Sequence, residues 1–338
     1  MTGLAVLAAG PATSLQDAGR FGWQRYGVGP AGAMDRTSLG LANALVGNGP
    51  GAAAIEFALA GGRLKVEGGT ARVALAGADC ALRIDGTAVP PFTSASAHEG
   101  QTVEVGSARS GVFAYLAVAG GFAVPPTLGS MSLHHRTGVG GLAGRSLRAG
   151  DILPLLLGEP SGPERALPGA VPAQSGPIRV VLGPQEDYFT PAAIATLVEQ
   201  EYQISEQADR MGIRLIGPQL EHSAKGYNIV SDGIPTGAIQ VPGNGMPLIL
   251  LADRQTTGGY PKIATVIGAD LPRLAQSRPG TKLRFQIVER GDAVRIAKAA
   301  DQTQRDLFAK IRPAGLAGLD SSELLALNLV DGVVDARG

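Results

Sequence analysis

Between Ala53 and Leu153 the chain is cut into short apolar runs separated by glycine-rich breaks. Ala54–Ala58, Arg63–Glu67, Ala71–Ala76, Ala81–Ile84, Thr102–Val105 and Val112–Ala119 each suit one strand, and none is long enough for a globular helix. Strands recurring at about ten-residue spacing predict an antiparallel sheet that is closed or sandwiched. The 49 glycines and 23 prolines supply the turns that such a chain needs. Helices are few. Asp35 is placed to cap Arg36 to Val46, with Gly47 as its stop. Thr190 and Pro191 open a second helix, running to about Tyr202. Asp270 opens a short third, Leu271 to Gln276, and Asp292 a longer fourth to about Ile311. Val294, Ala297, Leu307 and Ile311 are that helix's candidate docking positions, and Ser322 to Leu329 is one further possible helix.

Composition narrows the function classes. Lys+Arg and Asp+Glu both number 29, so there is no basic field for nucleic acid or an anionic membrane surface. No apolar run approaches the roughly 20 residues of a membrane span. Leu4 to Ala9 is too short for a signal segment and has no basic residue before it. The single cysteine, Cys80, cannot form an internal disulfide, which fits a reducing, cytoplasmic setting. The stretch GEPSGPERALPGAVPAQSGP, Gly158 to Pro177, reads as a linker. It divides the chain into a first β-barrel-like domain (1–157), a second (178–290), and a C-terminal helix and tail (291–338). Three short echoes support duplication: Gln16–Gly22 with Gln207–Gly212, Ala54-Ile55-Glu56 with Ala238-Ile239-Gln240, and Ala76–Asp79 with Ile267–Asp270.

Standard chemical motifs are missing. There is no HExxH, CxxC, GxSxG or Walker A pattern. His134 and His135 are neighbours, so on a strand they face opposite ways and do not share a metal ion. Gly138 to Ala143 matches GxGxxA, but the sequence after it reads as turn and strand, so it is a glycine-rich connection. The richest candidate site is Asp253 to Lys262, a polar loop between two apolar runs. Lys262, Arg254 and Arg210 suit carboxylate or phosphate. Asp253 suits base work or orientation, Asp232 and Asp209 likewise. Gln240 and Gln255 can pair with an amide in both directions. Gly258 and Gly259 let a ligand approach the main chain, between Thr257 and Tyr260. Each of these groups also fits an ordinary ion pair or strand-end hydrogen bond.

The run AIQVPGNGMPLILLADRQTTGGYPKIATVIGADLPRLAQSRPGTKLRF resembles the family called KipA-like, allophanate hydrolase subunit 2 or biotin-dependent carboxyltransferase. So do SLQDAGRFGWQRYGVGPAGAMDRTSLGLANALVGN, AAIEF, GADC and YLAVAGGFAVP. The resemblance covers about Leu4 to Val288. It implies a mainly-β protein with a few helices, built as two cyclophilin-like β-barrel domains. The C-type subunit of the bacterial ATP-dependent 5-oxoprolinase is the most similar functional type. That implies hydrolysis of 5-oxo-L-proline to L-glutamate with ATP, beside a KipI-like B-type subunit; the remaining A-type partner is LamB/YcsF-like. Two other roles follow from the same family: a urea carboxylase-like carboxyltransferase component, and a non-enzymatic regulator of a KipI-like kinase inhibitor. None of the six lysines follows a methionine, so biotin enters only on a separate carrier. Where the family usually reads Gly-Ser-Arg-Ser-Thr, this chain has Gly129-Ser130-Met131-Ser132-Leu133, so one cation and one hydroxyl are lost from that loop.

Overall fold

The computed structural model describes residues 2–172 and 174–314. Its described part is mainly β, with four α-helices: α1 (Arg36–Val46), α2 (Pro191–Glu199), α3 (Leu271–Ala275) and α4 (Arg290–Phe308). The candidate helix at Ser322–Leu329 lies outside the described residues.

Two sheets face each other in the first half. One has six strands, running from Ile152–Pro154 through Gly3–Ala9 and Gly62–Glu67 to Thr87–Val89. The other has five, with Phe113–Val118 between Ala54–Ala58 and Thr70–Gly77. Phe113–Val118 is apolar at every position because both of its faces are covered. Ala114, Leu116 and Val118 point into the core between the sheets. Phe113, Tyr115 and Ala117 alternate with them and join the second core, under α1. Ala74 and Ala76 on the neighbouring strand belong to that same face.

Beside a two-stranded pairing of Asp232–Gly233 and Thr257–Gly258, the second half is built on one eight-stranded sheet. Its edge strands, Lys282–Leu283 and Phe285–Ile287, are consecutive in the chain with only Arg284 between them. One pairs antiparallel with Tyr202–Ala208 and the other parallel with Ile178–Leu182, so the sheet wraps until its edges meet. The second core fills this barrel and continues across the seam to α1 and the five-stranded sheet.

The helix signals hold with adjustments. The Asp35 carboxylate accepts from Ser38 N at 3.0 Å, and Gly47 closes α1 with φ of 83°. Thr190 caps α2, which stops at Glu199 because a strand begins at Tyr202. Asp270 stands at the start of α3 but does not cap it; its carboxylate accepts from the backbone and Nε of Arg179 instead. α4 starts at Arg290, two residues before Asp292, and ends at Phe308. Of its expected docking residues, Leu307 and Ile311 pack on the core, whereas Val294 is exposed. The Gly/Pro-rich stretch after Gly158 is not featureless, since Arg165–Ala166 pairs with Arg312–Pro313. The echoed segments occupy similar positions on or at the ends of strands, while their sheet neighbours differ.

Candidate functional site

The loop after Leu248–Leu250 runs along the seam between the two halves, and its side chains fan out. Asp253 points into the seam and is 1% exposed. Its carboxylate accepts from Arg210 Nε at 3.0 Å and Nη2 at 2.9 Å. His135 N and Nδ1 lie 3.3 Å away on its other side. Arg210 also donates to Glu56, across to the first half, and to the Gly32 carbonyl at 2.8 Å. Glu56 in turn accepts from Tyr115 Oη at 2.8 Å and Met34 N at 3.0 Å, and Tyr115 Oη accepts from Asp35 N at 2.8 Å. Every nitrogen of the Arg210 guanidinium is therefore engaged. Burial pulls the Arg210 pKa down, but Glu56 and Asp253 outweigh it and the pKa rises. Burial pushes Asp253 up, yet Arg210 and His135 hold it below the usual carboxylate range. An ion triad with each oxygen occupied serves as a strut, and it binds the two halves together.

Arg254 turns the other way and is 4% exposed. Its Nε donates to the Ile234 carbonyl at 2.8 Å, while its Nη atoms have only 3.4 Å contacts, to Leu251 O and Gln24 Oε1. Burial lowers its pKa to about 10, and the field of Arg36 adds to the shift. Gln24, from the first half, donates to both Ile234 O and Thr256 O at 3.0 Å.

Lys262 begins the strand Lys262–Val266 directly opposite Gln240, so both side chains share one face. The lysine is 1% exposed, and Nζ donates to Asp232 Oδ2 at 2.8 Å. Gln185 holds this pair from the side, with Oε1 on Lys262 N and Nε2 on Asp232, both at 3.3 Å. Gln240 Nε2 donates to the Tyr260 carbonyl at 3.1 Å. A Cβ at Gly258 would lie 2.7 Å from Ile234 Cδ1 and 2.8 Å from Gln240 Nε2, so this position needs glycine for close approach.

The structure thus gathers Lys262, Gln240, Gly258 and the Tyr260 carbonyl, and joins them to Arg254 through Ile234. Gln255 is not among them. It is exposed and faces a separate hollow of about 480 Å³ with Arg136 and Asp209. Thr257 is exposed, Tyr260 is 41% exposed, and Gly259 lies beside Ile229 O and Ser231. Glu56 and Tyr115 do not stand out in the sequence because they sit inside runs that read as apolar strands. A carboxylate in the middle of AIEFA was the available signal, since a buried charge needs a partner. His134 and His135 do take separate partners: His134 packs on Gly29, and His135 meets Asp253. Gly138 to Gly144 is turn, with no helix following.

Met131 brings no guanidinium of its own; the buried Arg20 donates to the Ser132 carbonyl of this loop, and Asp17 organises it. Asp17 accepts from Ser130 Oγ at 2.6 Å, Met131 N at 2.7 Å and Ser132 Oγ at 2.5 Å. Among the described residues no helix is long and apolar enough to cross a membrane.

Residues 26–287 match the family model described as carboxyltransferase domain, subdomain A and B. The chain belongs to the carboxyltransferase family. Within that family it is 39% identical, over 284 residues, to the 5-oxoprolinase C subunit of Escherichia coli, covering 83% of this chain and 90% of that protein. It is 35% identical to the 5-oxoprolinase C subunit of Haemophilus influenzae, over 84% of this chain and 91% of the relative. Among solved structures, urea amidolyase of K. lactis superposes with a TM-score of 0.83 at 28% identity. That match takes in 95% of this chain but only 20% of the larger protein, so the chain corresponds to one part of it.

Proposed function

We propose that this chain is the C-type subunit of an ATP-dependent 5-oxoprolinase, acting with KipI-like and LamB/YcsF-like subunits in a hetero-oligomeric hydrolase. The observation that carries the reading is the 39% identity to the E. coli protein across nine-tenths of its length. The site geometry supports it. A lactam carbonyl resists water because of amide resonance, and phosphorylation of its oxygen by ATP makes the carbon a better electrophile. The protein's contribution is then positioning and charge stabilisation.

Lys262 and Arg254 are the groups suited to anionic charge. Both are buried, and Arg254 faces no carboxylate at hydrogen-bonding distance among the described residues. Gln240 is the group suited to the amide, and its side chain packs closely against Gly258. Asp253 suits orientation; with its oxygens held by Arg210 and His135 it is a poor proton acceptor. Arg210 belongs to the strut, Thr257 and Tyr260 lie at the edge of the site, and Gln255 faces the separate hollow with Arg136.

A second reading, a carboxyltransferase component served by biotin on a separate carrier, draws on the fold shared with the K. lactis protein. Reconstitution separates the two. The isolated chain is expected to show negligible 5-oxoproline-dependent ATP hydrolysis, and activity is expected once the two partner subunits are added. Full activity of the single chain contradicts the proposal. Activity that depends on a biotinylated carrier supports the second reading.

A further inference from the structure

A groove of about 500 Å³ lies outside the cluster around Lys262, between the two halves. Its walls come from the loop before α1 (Ala33, Met34), from Leu251 and Ala252, and from Leu271 at the start of α3. Its roof is α4, through Ala300 and Leu307. The volume is in the range of small-molecule sites. At the mouth stands Arg36, an exposed residue whose guanidinium lies 5.0 Å from the centroid of the Phe21 ring.

Arg36 has no counter-ion in place among the described residues. The carboxylate whose field reaches it is Asp17, and the Asp17 oxygens are already taken by Gly19 N, Ser130, Met131 N and Ser132. Its other charged neighbour, Arg254, repels it. Asp301 also lines the groove, but its carboxylate accepts from Arg305 on the same helix at 2.7 Å. An apolar trough with an aromatic ring and an unpaired guanidinium at its entrance is built for an apolar body ending in an anion.

The roof has its own logic. α4 begins at Arg290, beyond the 26–287 span of the family model, and none of its residues is fully buried. It rests on α1 at Gly40, where a Cβ would come within 2.9 Å of Gln304 Nε2 and 3.0 Å of Phe308 Cζ. α4 thus covers the groove through partly buried contacts, with Leu307 and Phe308 packed on the core.

We propose that this groove binds a small carboxylic acid with an apolar body, its carboxylate on Arg36 and its chain beneath α4. Arg36 neighbours Arg254 of the proposed lactam site, but none of Lys262, Gln240, Gly258 or Arg254 lines the groove, so either proposal can fail without the other. The test is calorimetric titration of the full chain with hexanoate, and with hexanol and hexylamine as the neutral and cationic probes. Hexanoate is expected to saturate at one per chain, with hexanol weaker and hexylamine weaker still. Arg36→Gln is expected to weaken hexanoate by about tenfold or more, the loss of one charge-assisted contact. Ala300→Phe, which fills the trough, is expected to abolish binding, and Lys282→Gln on a distant strand to leave it unchanged. Circular dichroism of each variant establishes that it is folded. Absence of saturable hexanoate binding, equal affinity for hexanol, or full affinity in Arg36→Gln would overturn the proposal.

Discussion

The ammonium of Lys262, 1% exposed, is neutralised by the carboxylate of Asp232, which is 52% exposed, at 2.8 Å. A buried cation with a partner at the solvent edge is stable only while that partner stays in place, or while another anion takes over. In the function proposed above, Asp232 holds the place that an incoming anionic group would take. The short pairing of Asp232–Gly233 with Thr257–Gly258 fixes the carboxylate there.

Asp232→Asn tests this relationship directly. The amide retains a hydrogen-bond acceptor but not the charge. Because water reaches the site from the Asp232 side, the expected loss is about 1–2 kcal/mol, below that of a fully buried pair. Denaturant midpoints of the variant and the parent measure it. An unchanged midpoint would show that the pair contributes nothing to the folded state.

Arg210 carries a larger expectation. Arg210→Met strands Glu56 and Asp253 as buried carboxylates, which costs about 3–5 kcal/mol. Arg210→Lys is expected to recover little, since one ammonium cannot reproduce a fork that reaches Glu56, Asp253 and Gly32 O together. Guanidinium unfolding of both variants decides it, and a lysine variant as stable as the parent would refute the strut.

Tyr115→Phe removes one oxygen from the same network. It leaves Asp35 N without its acceptor and takes one of three donors from Glu56, which keeps Arg210 and Met34 N, in a region with almost no exposure to water. The expected loss is about 1–3 kcal/mol with the fold retained. A loss indistinguishable from zero would indicate that the hydroxyl is not structurally engaged.

His134 predicts a pH dependence. Burial lowers its pKa below 6.5, with the Asp253 charge opposing. The unfolded chain thus takes up a proton that the folded chain refuses. The His134 contribution is complete above pH 6.5 and is lost as pH falls towards the folded value. Asp253 acts in the same direction at lower pH, because its folded pKa is depressed. His134→Gln is expected to flatten the fall in thermal midpoint between about pH 6.5 and pH 5.5. A slope in that window identical to the parent's would assign it to other groups.

The parts of the fold that are written locally were legible. Asp35, Thr190 and Pro191 mark helix starts because a cap is a contact within three residues, and strand runs such as Ala54–Ala58 and Thr102–Val105 need only their own alternation and turns. What could not be read depends on distant pairing. Arg210 meets Glu56 across 154 positions, so no window of sequence reveals that this arginine is already committed. Gln255 lies two residues beyond Asp253 on the polar loop, yet one is exposed and the other buried, because the loop turns away from the seam between them. Sequence alone favours Asp292 as the start of the fourth helix because aspartate caps better than Glu289, which holds the N-cap position without a side-chain cap.

The function proposed above requires the buried cations Lys262 and Arg254 to serve turnover and not only folding. The direct measurement is 5-oxoproline-dependent ATP hydrolysis by the complex reconstituted with Lys262→Ala, Arg254→Ala or Lys282→Ala in this chain. Lys282 is exposed on a strand outside the site, paired with Glu201 at 2.9 Å. Lys262→Ala and Arg254→Ala are expected to lower turnover by about 10²-fold or more, the scale of one lost transition-state donor, with the complex still assembled. Lys282→Ala is expected to retain parental turnover. Equal turnover in Lys262→Ala and Lys282→Ala would contradict this role and move the chemistry away from this loop.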